Sequence, residues 1–551
     1  MRGQVASAHP LASGAGLQML QAGGSAVDAA LAANAVLAVL EPMMNGPGGD
    51  LMAIVRTPGG EIVGYNGAGR SSASLSYADM AAALKAQGAE YIPFLGPLSV
   101  TVPGAVRGWC DLHTRFGKLP FADALAPAIY YALHGAPVPQ VISAEWSALA
   151  NGSDATSGGR YPRALDGWAA TFTPIPAEGA FFKNAALGAT LQRLAAGGCD
   201  AFYGPGPTLD ALLRLQGSAG LRLTAADLAA HTGEWVEAIN TSFAGATVYE
   251  LPPNPQGAAA LEMLNILEGY NFSAADFNSA EYLHAHIEAK KLAFADAAAY
   301  FGDPAFSDIP LAGITSKAYA ATQRARIDPA RAARTDAPGA PPPGPGARSL
   351  EDMYGGDTTY LTAADGDGMM VSWIQSLYTG FGSGLVAPEL GFALQCRGAL
   401  FSMAPGHPNV YAPAKRPFHT IMPGMASLAN GGTFSFGVMG GFMQPQGHTQ
   451  VLYNLLVNGM NVQEAGDAAR FYHSGSTQPT GQKMTDGGVV ALEAGVCNGT
   501  VAGLLQRGHT IVRAPNTGGY QGILRAPLEG GGGFYLAGAS EKRKDGQVAA
   551  W

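Results

Sequence analysis

The chain has 551 residues, of which 47% are hydrophobic and only 13% charged, so it can bury a sizeable core and wholesale disorder is excluded. A net charge of -9 with a pI near 5.7, and no Lys/Arg-rich block, argues against a nucleic-acid binder, which needs a basic footprint. Gly 76 and Pro 37 forecast many turns and close backbone approaches.

Residues 1–10 lack a charged start followed by an apolar core, so no signal peptide is visible. A cytoplasmic setting is the default, and a periplasmic one follows if a leader has been removed. Residues 11–21 and 26–40 read as helices separated by Gly23-Gly24-Ser25, with Ser25 as N-cap and Asp28 near the start of the second. The apolar run 29–40 is too short for a membrane span and reads as a buried helix, ended by Glu41-Pro42. Asn45-Gly46-Pro47-Gly48-Gly49-Asp50 is a loop, and it lacks the Gly-Lys-Ser/Thr ending of a phosphate cradle. Residues 51–55 read as a buried strand that turns at Pro58-Gly59-Gly60 into a second strand over 61–65.

Helical patterns dominate 105–137 and 258–325. His284 and His286 lie two apart on such a helix and point to different faces, so joint metal ligation is not expected and packing or surface roles are. Cys110, Cys199, Cys396 and Cys497 form no Cys-x-x-Cys pair, and neither a zinc ribbon nor a disulfide framework is expected. Residues 334–348 are Pro/Gly-rich and form the clearest linker. Strands follow over 359–363 and 369–378, joined by the turn Asp365-Gly366-Asp367-Gly368. No repeat of about 20–50 residues suggests a solenoid or propeller.

The most informative stretch is Tyr354-Gly355-Gly356-Asp357-Thr358-Thr359-Tyr360. A threonine inside a chain is a poor nucleophile, because no strong base is fixed beside its hydroxyl. Breaking the bond before Thr358 would place an α-amine on the same residue, with an ordinary pKa of about 7.7–8.0. That value suits a general base at neutral pH. Alone, Asp-Thr-Thr better describes a threonine that merely opens a strand. The context adds a flexible segment before it, Ser376 on the next strand, and Gly440-Gly441 after an apolar strand. Amides of such a pair suit a developing oxyanion, although a tight turn alone also explains them.

Ordered motifs extend along nearly the whole chain. They include residues 6–13 and 23–30, Glu41-Pro42 with Gly48-Gly49, Val102-Pro103-Gly104, and Lys290 to Asp296 with Gly302-Asp303-Pro304. Thr358-Thr359, Phe381-Gly382-Ser383-Gly384, Lys415-Arg416-Pro417 and Gly440-Gly441 complete the set. In this the chain resembles the gamma-glutamyltransferase family. The resemblance implies an α+β fold, the αββα four-layer N-terminal-nucleophile sandwich, built from a large subunit (1–357) and a small one (358–551) of one precursor. It implies cleavage between Asp357 and Thr358, with Thr358 as nucleophile and base through its freed amine. Thr359 and Ser376 would support it, and the Gly440 and Gly441 amides would form the oxyanion hole. An acyl-Thr358 ester would pass to water or an amine, with no cofactor and no metal.

The chain departs from the family where the glutamyl group is clamped. The family's early arginine gives way to the stretch from Tyr65 to Arg70, and its asparagine after the supporting hydroxyl is Tyr378. The segment that carries its acidic residue runs Gln395-Cys396-Arg397-Gly398-Ala399-Leu400-Phe401, with Leu400 at the acidic position, and its paired serines are His419-Thr420. Tyr378, Gln395, Arg397, His419 and Thr420 are therefore the candidate substrate-binding residues. Arg397 is a candidate for a substrate carboxylate, with a structural ion pair as the equal alternative. His419 and His448 either border the pocket or fill the core. The expected activity is amide hydrolysis or acyl transfer on a gamma-glutamyl or related small acyl amide. The alternatives are a cephalosporin or glutaryl acylase type, an oxamate amidohydrolase type, and a non-catalytic binding member. The expected partners are a small-molecule amide and the paired subunits, with further homo-oligomers open and neither nucleic acid nor membrane involved.

Overall fold

The computed structural model describes residues 2–151, 165–341, 357–514, 517–530 and 532–551. Seven strands form the first sheet, in the order Gln547–Ala550, Gly3–Ser7, Asp357–Asp365, Met370–Tyr378, Asp50–Arg56, Ile62–Asn66 and Glu234–Val236. Six form the second: Phe534–Ser540, Gly519–Pro527, Thr433–Met439, Gly424–Ser427, Ala246–Glu250 and Ile239–Phe243. Strands in both sheets pair antiparallel.

Side chains alternate across a strand, and here both faces are covered. Leu361, Ala363, Val371 and Trp373 pack with the helices Pro10–Gln21, Ala26–Leu40 and Ala105–Phe116. Their neighbours Tyr360, Ala364, Met370 and Ile374 pack instead with Met425, Met439 and Ile523 of the second sheet. A second helical layer of Gly257–Leu267, Ala280–Tyr300 and Met443–Leu456 covers the far side, over Phe434, Phe436 and Val438. The result is the αββα sandwich. Among the described residues no helix is long and apolar enough to cross a membrane.

Local signals act where the sequence places them. Ser25 caps Ala26–Leu40: its hydroxyl accepts the Asp28 N–H at 3.1 Å, and the Asp28 carboxylate accepts the Ser25 N–H at 2.8 Å. The helix is buried along its whole length. The first hairpin pairs Asp50–Arg56 with Ile62–Asn66. The linker is described only as far as Pro341, and its remainder to residue 348, with the stretch before Asp357, lies outside the described residues. Its first part is strapped down: the Gly339 N–H reaches Asp296 at 2.6 Å, and the Thr477 N–H reaches Asp336 at 3.1 Å.

The cysteines require a correction. Cys110 and Cys199 form a disulfide with Cα atoms 6.2 Å apart, while Cys396 and Cys497 stay free. The partners lie 89 residues apart in sequence, and spacing along the chain carries no information about such a long-range approach. The bond ties the helix Ala105–Phe116 to the short helix Asp200–Tyr203, whose N-cap is Cys199.

Candidate active site

Thr358 sits near the start of the Asp357–Asp365 strand, in the middle of the first sheet, and is buried. Opposite it the Met370–Tyr378 strand bulges. The register runs Gln375↔Thr359 and then shifts to Tyr378↔Asp357, so Ser376 and Leu377 together face Thr358. A bulge re-aims side chains, and here the Thr358 hydroxyl donates to Ser376 Oγ at 3.3 Å. Ser376 Oγ also accepts the Tyr378 N–H at 2.8 Å. Gln444, in the first turn of the helix Met443–Leu456, donates to Thr358 Oγ1 at 3.5 Å, and its own oxygen accepts the Met422 N–H at 3.0 Å.

Gly440 and Gly441 follow the Thr433–Met439 strand with φ of 112° and 56°. Such angles suit glycine and turn the backbone sharply between strand and helix. Gln256 fixes this turn by donating to the Gly441 carbonyl at 2.9 Å and the Thr420 carbonyl at 2.5 Å. With both carbonyls of the pair engaged, by Met443 and Gln444 amides as well, the turn is rigid. A hydroxyl held by two polar partners beside such a turn can attack a carbonyl and have the resulting oxyanion stabilised.

Two buried carboxyls flank the site. Thr359 Oγ1 donates to Glu41 at 3.2 Å, and burial raises the Glu41 carboxyl to about 7 against the pull of Lys544. Asp50 accepts the Gly69 N–H at 3.1 Å, the Gly104 N–H at 3.0 Å and His419 Nε2 at 3.1 Å. Burial raises Asp50 to about 7 as well, opposed by the Arg397 charge and those amides. His419 Nδ1 accepts the Ile421 N–H at 3.3 Å, so its proton rests on the nitrogen facing Asp50. Burial, with Arg397 and Arg416 nearby, holds the His419 imidazole neutral.

The five candidate substrate-binding residues converge behind Thr358, but in different ways. Arg397 is fully buried; it donates to Thr420 Oγ1 at 2.5 Å and stacks 4.7 Å from the centre of the Tyr378 ring. Gln395 accepts the Arg397 N–H and donates to Thr101, which shapes the loop. Tyr378 alone of the five lines an open cleft of about 90 Å³, together with Phe94, Leu400 and Phe442. His448 is a core histidine paired with Glu250 at 2.7 Å.

His284 and His286 are both buried and do not converge, since His286 Nδ1 bonds the Tyr282 carbonyl at 2.9 Å. His284 instead joins Glu288 and His509, with ligand atoms within 4.8 Å of one another. Protein groups already occupy this cluster. His284 contacts His509 and the Asp328 carbonyl, each at 2.8 Å, and the Lys291 ammonium lies 2.8 Å from Glu288.

Sequence reasoning missed Gln444, Gln256 and Asp50 as contributors, and it gave Glu41 no role. Gln444 carried a usable signal, because it lies three residues after the glycine pair, in the first turn of the helix that follows it. Gln256 carried none.

The family model described as Gamma-glutamyltranspeptidase matches residues 12–551. The Glutathione hydrolase-like YwrD proenzyme of Bacillus subtilis (strain 168) is 36% identical over 465 residues, covering 84% of this chain and 83% of that protein. The Acylase ACY 1 proenzyme of Pseudomonas sp. (strain SE83) is 34% identical over 562 residues, covering 100% and 93%. The crystal structure of cephalosporin acylase from Bacillus halodurans superposes with a TM-score of 0.87 at 39% identity, covering 100% of this chain and 96% of that one.

Proposed function

The chain belongs to the gamma-glutamyltranspeptidase family of N-terminal-nucleophile amide hydrolases, and from that premise we propose that Thr358 is its nucleophile, freed by self-cleavage after Asp357. In maturation the Thr358 hydroxyl attacks the Asp357 carbonyl, the C–N bond breaks, and the resulting ester is hydrolysed. This leaves a carboxylate on Asp357 and an amine on Thr358, and divides the chain into a large subunit (1–357) and a small one (358–551). In turnover that amine accepts the hydroxyl proton as Thr358 attacks the substrate carbonyl, and passes it to the departing amine. Water or a second amine then resolves the acyl-Thr358 ester.

Ser376 and Gln444 orient the hydroxyl, Thr359 anchors the strand through Glu41, and the Gly440 and Gly441 amides receive the oxyanion. Tyr378 stands on the acyl side, with Arg397, Gln395, His419 and Thr420 behind it. The observation that carries this reading is the bulge that brings Ser376 Oγ to 3.3 Å from the Thr358 hydroxyl. A related small acyl amide is favoured over a gamma-glutamyl one, because Tyr378 and Leu400 both line the cleft. The Cys110–Cys199 bond supports the periplasmic alternative, since disulfides persist in oxidising compartments.

Denaturing electrophoresis provides the test. Purified protein is expected to run as two fragments, the smaller starting at Thr358 by N-terminal sequencing, and Thr358→Ala as one. A wild-type chain that stays whole on long incubation sinks the reading and favours a non-catalytic binding member.

A further inference from the structure

The cleft beside the Thr358 site carries no charge. Its walls include Phe94, Tyr378, Leu400 and Phe442, with Gln478 and Thr480 as polar members, and none of the residues lining it is ionised at neutral pH. It adjoins the reacting centre on two sides: the Tyr378 N–H binds Ser376 Oγ, and Phe442 follows Gly441 directly. A full positive charge nevertheless lies close behind. The Arg397 guanidinium stacks on the Tyr378 ring, is completely buried, and leaves Nε and Nη2 without a partner. Arg397 does not itself line the cleft. Buried, unpaired guanidinium donors are costly, and a carboxylate that reached them would bind strongly. Tyr378 holds φ at 85°, a left-handed conformation that is a true outlier for a bulky side chain and clusters at functional sites.

Resting on the Thr358 reading, we propose that Tyr378 is the residue that sets acyl specificity: its ring screens Arg397 from the cleft, and the enzyme takes amides whose acyl chain is apolar and uncharged. An acyl chain ending in a carboxylate would have to bury that charge against Phe94, Leu400 and Phe442 without a partner, which is strongly disfavoured. Removing the ring opens the path to Arg397 and converts the cleft into a carboxylate site.

The test compares hexanoyl-, glutaryl- and γ-glutamyl-p-nitroanilide on the matured enzyme. Wild type is expected to show kcat/KM for the hexanoyl amide at least about tenfold above the other two. Tyr378→Gly accepts the left-handed backbone without strain, and should shift the hexanoyl-to-glutaryl ratio about tenfold or more towards glutaryl, chiefly through a lower KM for glutaryl. Tyr378→Phe keeps the ring and should keep the wild-type ratio, and adding Arg397→Gln to Tyr378→Gly should erase the gain. A wild type that prefers either acidic acyl group overturns the proposal, as does a ratio unmoved in Tyr378→Gly. If Tyr378→Gly fails to mature, the wild-type and Tyr378→Phe panels decide alone. Mass mapping of the acyl adduct separates the two readings: an adduct away from Thr358 defeats the nucleophile assignment, whereas a wrong acyl preference on Thr358 defeats only this one.

Discussion

At the scale of single residues, a buried acid beside the proposed cleavage point costs stability in a pH-dependent way. Glu41 is only 4% exposed and its carboxyl is raised by burial to about 7. The fold therefore prefers the protonated form. That contribution is complete below the ordinary glutamate range near about 4.3 and is lost as pH rises through about 7. Glu41→Gln keeps an acceptor for Thr359 and cannot ionise. Its stability relative to wild type should thus rise between about pH 5 and about pH 8, by up to about 3 kcal/mol. Urea midpoints at the two pH values check this, and parallel pH curves for the two proteins would count against it. Gln444 illustrates the limit of reading residues from sequence: it is 86 residues from the threonine it contacts. The role proposed for Thr358 rests on the ordered motifs around it rather than on its tripeptide.

At the scale of elements, what is punctuated locally is legible and what depends on approach through space is not. The helix Ala26–Leu40 is announced by Ser25 and Asp28 at one end and Glu41-Pro42 at the other. The Met370–Tyr378 strand is buried on both faces, so its apolar run identifies a strand without saying which sheet or helix covers which side. The bulge at Ser376 and the Cys110–Cys199 bond leave no trace in the sequence pattern. That bond closes a loop of 89 residues, and losing a cross-link of this kind costs about 2–4 kcal/mol. Cys199→Ser should lower the urea midpoint accordingly while leaving the proposed cleavage after Asp357 intact. Thiol counting under denaturing, non-reducing conditions should find two reactive cysteines, Cys396 and Cys497. Four would refute the bond.

For the whole molecule, the proposed cut falls between segments that are thoroughly interleaved. The Asp357–Asp365 strand lies between Gly3–Ser7 and Met370–Tyr378, and the second sheet joins Ala246–Glu250 to Gly424–Ser427. Both cysteines of the disulfide lie before residue 357, so among the described residues packing, hydrogen bonds and ion pairs such as Lys544–Glu145 and Arg507–Glu281 hold the halves together. The two fragments should co-elute in size-exclusion chromatography even under reducing conditions, and separate only in denaturant. Release of the smaller one by reductant alone would contradict the shared sheets.

The ends of the sequence meet at the edge of the first sheet. Gly3–Ser7 pairs with Gln547–Ala550, and the Arg2 N–H reaches the Trp551 carbonyl at 2.6 Å. Topologically the molecule is close to a closed ring, with an opening at this edge that a few residues could bridge. Sealing that opening and starting the chain at Thr358 instead would preserve every strand neighbour, because adjacent ends tolerate circular permutation. Such a polypeptide, once its initiator methionine is removed, would carry the Thr358 α-amine from the outset, and on the proposed reading it would need no self-cleavage.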